Sequence, residues 1–133
     1  MRRARIPFVF GSAESGPLLE AAGVVSSWFG ALADYRGAVF PVSRGQLPSG
    51  HSVVFATPET SLPGLVLPAI QGPALAVVDH PQDPTAKLLL VMGRDANELR
   101  TAAASSVSIR HLARKDAKVI GMIGAGHQAT FQL

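Results

Sequence analysis

Apolar residues follow two rhythms along this chain. Over residues 18–33 they recur at helical spacing, at Leu18, Ala21, Ala22, Val25, Trp28, Phe29 and Leu32. Pro17 precedes them at a first-turn position, where its missing N–H is harmless. Elsewhere the apolar residues form short continuous runs bounded by glycine, proline or charge, the pattern of buried strands. These runs are residues 6–10, closed by Gly11, then 38–42, 52–56, 74–78, 87–92, closed by Gly93, and 118–123. Pro41 argues that its strand lies at an edge or ends there. Residues 57–73 carry Pro58, Pro63, Gly64, Pro68, Gly72 and Pro73 and read as loop, with a short helical turn near Glu59. The turn at residues 79–84 lets the strands on either side of it pair as a hairpin. Asp95, Ala96, Asn97 and Glu98 form a capping-box signature. It opens a helix to about Arg114 with Leu99, Ala102, Ala103, Ser106, Ile109 and Ala113 on one stripe. No glycine or proline interrupts residues 99–107, so that helix should run unbroken.

The order strand, helix, four strands, helix, strand predicts an α/β fold. The expected form is a Rossmann-like or flavodoxin-like layered sheet of about six mostly parallel strands with crossover helices, one domain over residues 1–133. Residues 119–123 are expected to pair parallel beside residues 88–92, with the second helix as the crossover. Residues 128–133 offer only a stub of helix. That leaves apolar sheet uncovered and predicts self-association, as a dimer or by a segment swap.

The chain has 133 residues, 47% of them hydrophobic, enough for a packed core without staples. Net charge is +3, and only 16% of residues are charged, so part of the surface is a candidate interface. The basic residues cluster at Arg2, Arg3 and Arg5 and at Arg110, Arg114, Lys115 and Lys118, without interleaved aromatics, which argues against nucleic acid. The absence of cysteine excludes disulfides, thiolate metal sites and cysteine nucleophiles. No apolar run has the length of a membrane span, and Pro7 interrupts the N-terminal run where a signal peptide needs a long apolar core. The sequence reads as soluble, with no compartment signal.

Glu20, Ala21, Ala22, Gly23, Val24, Val25, Ser26, Ser27, Trp28, Phe29 and Gly30, then residues 51–57, and most specifically residues 72–75 and 83–95, carry a resemblance. Residues 4 to about 104 resemble the flavodoxin-like domain of the bacterial cellulose synthase regulatory subunit, the periplasmic B subunit. The resemblance implies a scaffold element with no catalytic residues, which in that family alternates with carbohydrate-binding modules beside a membrane anchor. Arg100, Thr101, Ala102, Ala103, Ala104 and Ser105, then Leu112, Ala113 and Arg114, then residues 119–129 carry a second one. Residues 100–133 resemble the start of the NAD-binding Rossmann domain of the ornithine cyclodeaminase and alanine dehydrogenase family. Together the two imply an engineered chimera joined inside a helix at residues 100–105, with no catalytic function of its own. The alternatives are a scaffold or interaction domain of the cellulose synthase type, binding a protein partner or glucan, and a vestigial dinucleotide- or phosphate-binding domain.

Gly124, Gly126 and Ala129 follow the last strand as a dinucleotide fingerprint: Gly124 for the turn, Gly126 for backbone approach to a pyrophosphate. The acidic residue that normally holds the ribose would fall beyond Leu133. The site therefore reads as vestigial, able at most to take phosphate or sulfate, and no cofactor is expected. Residues 11–16 are rich in serine and glycine like a flavin phosphate loop, but Glu14 would repel the phosphate. Asp79, His80 and Asp83 fall within one turn, where turn chemistry outweighs metal binding. His51, His111 and His127 are scattered, and Glu14, Glu20 and Glu59 form no acid–base pair. No catalytic residue and no metal ligand is nominated.

Overall fold

The computed structural model describes residues 3–11, 15–116 and 118. They form seven strands and two helices: β1 (Ala4–Arg5), β2 (Phe8–Phe10), α1 (Gly16–Ala33), β3 (Ala38–Val39), β4 (Val42–Arg44), β5 (Ser52–Ala56), β6 (Ala74–His80), β7 (Asp83–Met92) and α2 (Ala96–Leu112). A 3-10 turn, Asp34–Arg36, follows α1. The fold is mixed α/β. Five strands make one sheet in the order β4-β2-β5-β7-β6, and β1 with β3 makes a small second one. All pairings are parallel except the β6–β7 hairpin.

Prolines divide the first strands. Residues 6–10 and 38–42 were each expected as one strand, but Pro7 and Pro41 lack the N–H that a ladder needs, and pairing stops on both sides of them. β4 lies at a sheet edge, as Pro41 predicts. The link from β4 to β5, residues 45–51, is short for a parallel crossover. It suffices because β4 and β2 are only three residues long, about 10 Å.

Ser15 caps α1, its Oγ accepting from the N–H of Leu18 at 3.4 Å, and Pro17 sits in the first turn. Leu18, Ala21 and Val25 of α1 and Leu99 and Ala103 of α2 pack on Phe8, Phe10, Val53, Phe55 and Val91. Phe55 meets Phe8 edge to face, with ring centres 5.3 Å apart, and stacks nearly parallel on Phe10 at 5.2 Å. Each such buried side chain contributes about 1.5–3 kcal/mol. Arg100 of α2 also pairs with Glu20 of α1 at 3.0 Å across the surface.

Both helices cover the same face. On the opposite face Val9, Val54, Ala56, Leu88, Leu90 and Met92 lie under Leu62 and the half-buried Leu47, Leu65, Leu67 and Ile70. The proline-rich stretch 57–73 is loop, as expected, but it does the work of a helical layer. Near Glu59 it makes a turn closed by the Thr60 N–H on the Thr57 carbonyl, 2.9 Å, rather than a turn of helix.

The helix α2 is continuous through residues 99–107, as its sequence predicts. The expected pairing of residues 119–123 beside residues 88–92 is corrected. The ladder from Leu88 to Met92 already pairs with β5 on one side and β6 on the other, so no edge of β7 is open there. The sequence pattern identified both partners but not their order across the sheet. Residues 119–123 themselves lie outside the described residues.

Candidate functional site

The turn expected at residues 79–84 is only Pro81–Gln82, since β6 runs on to His80 and β7 starts at Asp83, and Asp79, His80 and Asp83 gather around it. It caps the β6–β7 hairpin, with His80 opposite Asp83 and a shift of register between Asp79 and His80. His80 is 4% exposed. Its Nδ1 accepts from the N–H of Gln82 at 3.1 Å, so the ring proton sits on Nε2, which donates to the Pro48 carbonyl at 2.9 Å. Asp83 Oδ1 accepts from the hydroxyl and N–H of Thr85, at 2.6 and 3.1 Å, and Oδ2 from the N–H of Gly50 at 3.2 Å. The Thr85 hydroxyl, first among these donors, holds the Asp83 carboxyl below the ordinary aspartate range. Gly50 presents its N–H from a positive φ of 86°, a conformation that suits glycine. Lys87 donates its backbone N–H to His51 Nδ1 at 2.9 Å and pairs its ammonium with Asp79.

These contacts tie the hairpin tip to residues 48–51, the segment that leads into β5. Asp79, His80 and Asp83 are thereby directed to three different protein partners. Among the described residues no group of three histidine or acidic side chains is placed to hold a metal.

A second cluster joins β7 to α2. Asp95 Oδ1 accepts from the N–H of Glu98 at 2.9 Å, half of the predicted capping box. The other half is displaced by one residue. Glu98 Oε2 accepts from the N–H of Arg94 at 2.7 Å, and Oε1 takes the Arg94 guanidinium at 2.6 and 2.9 Å. Glu98 is buried, and its hydrogen bonds push the arginine further toward its charged form. The cluster fixes the start of the helix.

An apolar cavity of about 120 Å³ opens between the helices and the sheet. Val25 and Trp28 of α1, Ala103 and Val107 of α2, Leu75 of β6 and Val91 of β7 line it. The indole Nε1 of Trp28 is buried and has no acceptor. A buried donor left unpaired costs about 1–3 kcal/mol. Beside the cavity the same face of β6 is uncovered: Leu75 is 42% and Val77 68% exposed. The helical spacing identified Trp28 as a core residue, but nothing in the sequence marked β6 as an edge.

Of the loop at residues 11–16 the structure describes Gly11, Ser15 and Gly16, and Ser15 serves as the cap of α1. Gly124, Gly126 and Ala129 lie outside the described residues, as does the stub from which self-association was expected.

The sequence profile of the family described as "Cellulose synthase BcsB, first FD domain" matches residues 1–120. Three proteins named cyclic di-GMP-binding protein are similar to the chain. That of Xanthomonas axonopodis pv. citri (strain 306) is 50% identical over 109 residues, 77% of this chain and 14% of that protein. That of Pseudomonas fluorescens (strain SBW25) is 43% identical over 105 residues, 77% and 14%. That of Escherichia coli (strain K12) is 36% identical over 124 residues, 92% and 16%. The chain thus spans about one seventh of the length of these relatives.

These matches overturn the chimera. The profile runs through residues 100–105, and a likeness covering 92% of the chain has to cross them wherever it starts. There is no sign of a join, and neither the ornithine cyclodeaminase segment nor an engineered origin finds support. The run from Arg100 to Ser105 is a weak marker of family, because a helix position packed as closely as Ala103 asks for alanine in many unrelated folds.

Proposed function

The chain belongs to the family of first FD domains of the cellulose synthase protein BcsB, and we propose that it serves there as a non-catalytic scaffold and docking domain. The reading treats residues 1–133 as one flavodoxin-like unit. The observation that carries it is a contrast between two kinds of surface. The titratable side chains of the two clusters are engaged with protein partners, holding a hairpin tip and a helix start, while Leu75 and Val77 on β6 are exposed. A domain that works by chemistry keeps reactive groups open; one that works by contact keeps an apolar patch open.

The relatives' name raises cyclic di-GMP as a ligand. A cyclic dinucleotide carries two phosphates and two guanine faces, which call for open arginines. Here Arg94 is held by Glu98, Arg100 by Glu20 and Arg114 by Asp116. These three are engaged, while Arg3 and Arg5 at the N-terminal end are exposed; we assign dinucleotide recognition to other parts of the longer protein, and this domain to its assembly with the synthase.

A domain exchange tests the proposal. The first FD domain of the Xanthomonas relative is replaced by this chain in cells that make cellulose. Assembly with the catalytic subunit and cellulose output should be retained, and deleting the domain should abolish assembly. Calorimetry of the isolated chain should show no saturable uptake of cyclic di-GMP at about 100 μM. Saturable uptake, or assembly that survives the deletion, would refute the reading.

A further inference from the structure

We propose that the end of the domain at which both helices finish is a docking surface for an anionic lipid bilayer. Its arginines and lysines meet the headgroups, and Leu32, Tyr35 and Leu112 reach the layer just beneath them. The inference goes beyond the scaffold reading and does not depend on it.

Topology gathers this surface from distant parts of the chain. The helix α1 leaves the carboxyl end of β2 and returns to the amino end of β3, which lies parallel to β1. The helix α2 runs back along the sheet in the same direction, with Leu99 near its start packed by Val91, and Val107 beside Leu89 and Leu75. Its 17 residues span about 25 Å, and the ten of β7 about 33 Å, so its last turn lies near the amino end of that strand. The two helices pack side by side, which sets their ends about 10 Å apart. Arg3 and Arg5 reach the same end, because Ala4 pairs with Ala38, two residues after Arg36.

Charge separates along the same axis. Arg3, Arg5 and Arg36 are exposed at this end, as are Arg114, Lys115 and Lys118 just past α2. Asp79 is paired with Lys87 and Asp116 with Arg114. Among the described residues that leaves Asp34 and the clasped Asp83 against Arg3, Arg5, Arg36, Lys115 and Lys118. At the opposite end Arg44, Arg94 and Arg100 are outnumbered by Glu20, Glu59, Asp95 and Glu98. Helix dipoles favour cations at helix C-termini, but Arg3 and Arg5 belong to the first strand and its lead-in, so the dipoles do not account for them.

The arrangement selects a bilayer over a small anion or a protein. A phosphate pocket gathers its cations around one ligand, whereas these are spread over a strand, a helix end and a loop. A protein interface needs contiguous apolar area. Here Leu32, Tyr35 and Leu112, at 53, 77 and 84% exposed, are separate tips among the cations. Dispersed cations attract an anionic leaflet one by one, and an exposed tyrosine ring suits the headgroup level. No helix among the described residues is long and apolar enough to cross a membrane, so the contact is peripheral.

The test is sedimentation of the complete 133-residue chain with vesicles of equal parts phosphatidylglycerol and phosphatidylcholine, against vesicles of phosphatidylcholine alone. The chain should sediment with the first and stay behind with the second. Salt at about 1 M should release it, since the screening length there is about 3 Å. Arg3→Gln and Arg5→Gln should each weaken binding about fivefold, as should Arg36→Gln. Arg100→Gln removes the same charge at the opposite end and should change binding less than about twofold. Tyr35→Ser should weaken binding without altering its salt dependence, because the ring contributes burial rather than charge. Each variant is compared at an unchanged circular dichroism spectrum. Equal sedimentation with both kinds of vesicle would overturn the inference, as would an Arg100→Gln loss equal to that of Arg36→Gln. No sedimentation with the anionic vesicles would also overturn it, and would hand this end to an acidic protein surface instead.

Discussion

Pro7 and Pro41 stand at the same level of one interrupted parallel ladder. Ala4 pairs with Ala38 before them and Phe8 with Val42 after them, at the same sequence offset. Their carbonyls remain in use: Phe8 donates to Pro41 at 2.8 Å and Val53 donates to Pro7 at 2.9 Å. What is missing is the rung from residue 41 to the Ile6 carbonyl, between the Ile6–Val39 and Phe8–Pro41 bonds. The small sheet β1–β3 is therefore the continuation of β2–β4, cut off where two prolines meet.

Replacing Pro41 by alanine should restore that rung. The new hydrogen bond contributes about 1 kcal/mol, and the loss of proline's restraint on the unfolded chain removes about 0.4–1. Net stability should change by less than about 1 kcal/mol while the amide of residue 41 becomes protected from exchange. A fast-exchanging amide at residue 41 would show that the interruption has another cause.

Gly93 lies under the start of α2. A Cβ there would sit 2.6 Å from the Leu99 nitrogen, 2.7 Å from Glu98 Cβ and 2.8 Å from the Glu98 backbone carbon. None of these is the end of a flexible chain, and the neighbourhood includes the buried Glu98 cluster. Gly93→Ala should destabilise the domain by about 1–3 kcal/mol, the usual cost of forced repacking. Equilibrium denaturation measures this, and a variant as stable as the parent would contradict the close approach.

How much of this was legible differs between elements. The strand Ser52–Ala56, residues 87–92 of the longer strand Asp83–Met92 and the helix α2 were readable because burial on both faces and helical spacing leave strong signals. The hairpin was readable from its turn residues. The covering of the back face by residues 57–73 was not, since Leu62, Leu65, Leu67 and Ile70 follow no regular period and find their positions only against the finished sheet. Strand order was not readable either, because β6 and β7 carry similar apolar runs and only pairing decides which becomes the edge. The apolar cavity depends on that order. Trp28 and Val25 were identifiable as core, but their cavity appears only once β6 is known to lie outermost.

Ser52 begins β5 and is buried, yet its Oγ has no hydrogen-bond partner. A buried hydroxyl without a partner costs about 1–3 kcal/mol, and alanine removes it while leaving only a small void. Ser52→Ala should raise stability by about 1 kcal/mol in urea denaturation. A loss of stability would mean that the hydroxyl is bonded in solution.

Asp83 gives the hairpin an acid-sensitive clasp. Its carboxyl is held below the ordinary aspartate range, first by the Thr85 hydroxyl and then by the backbone N–H groups of Thr85 and Gly50. A group whose value is lower folded than unfolded contributes stability above the unfolded value and loses it as pH falls through the folded one. The contribution should be complete near neutrality and lost on acidification below the ordinary aspartate range. The loss should be local, because the clasp links the hairpin tip to residue 50 rather than the core. Amide exchange at Gly50 and Thr85 should therefore accelerate on acidification relative to the intrinsic rate, while Val54 and Leu90 stay protected. Asp83→Asn replaces one of the two accepting oxygens by a donor NH2 and has no charge to titrate, so exchange at these two amides should be faster already at neutral pH and change little with acid. Equal acid responses in parent and variant would remove Asp83 from the clasp.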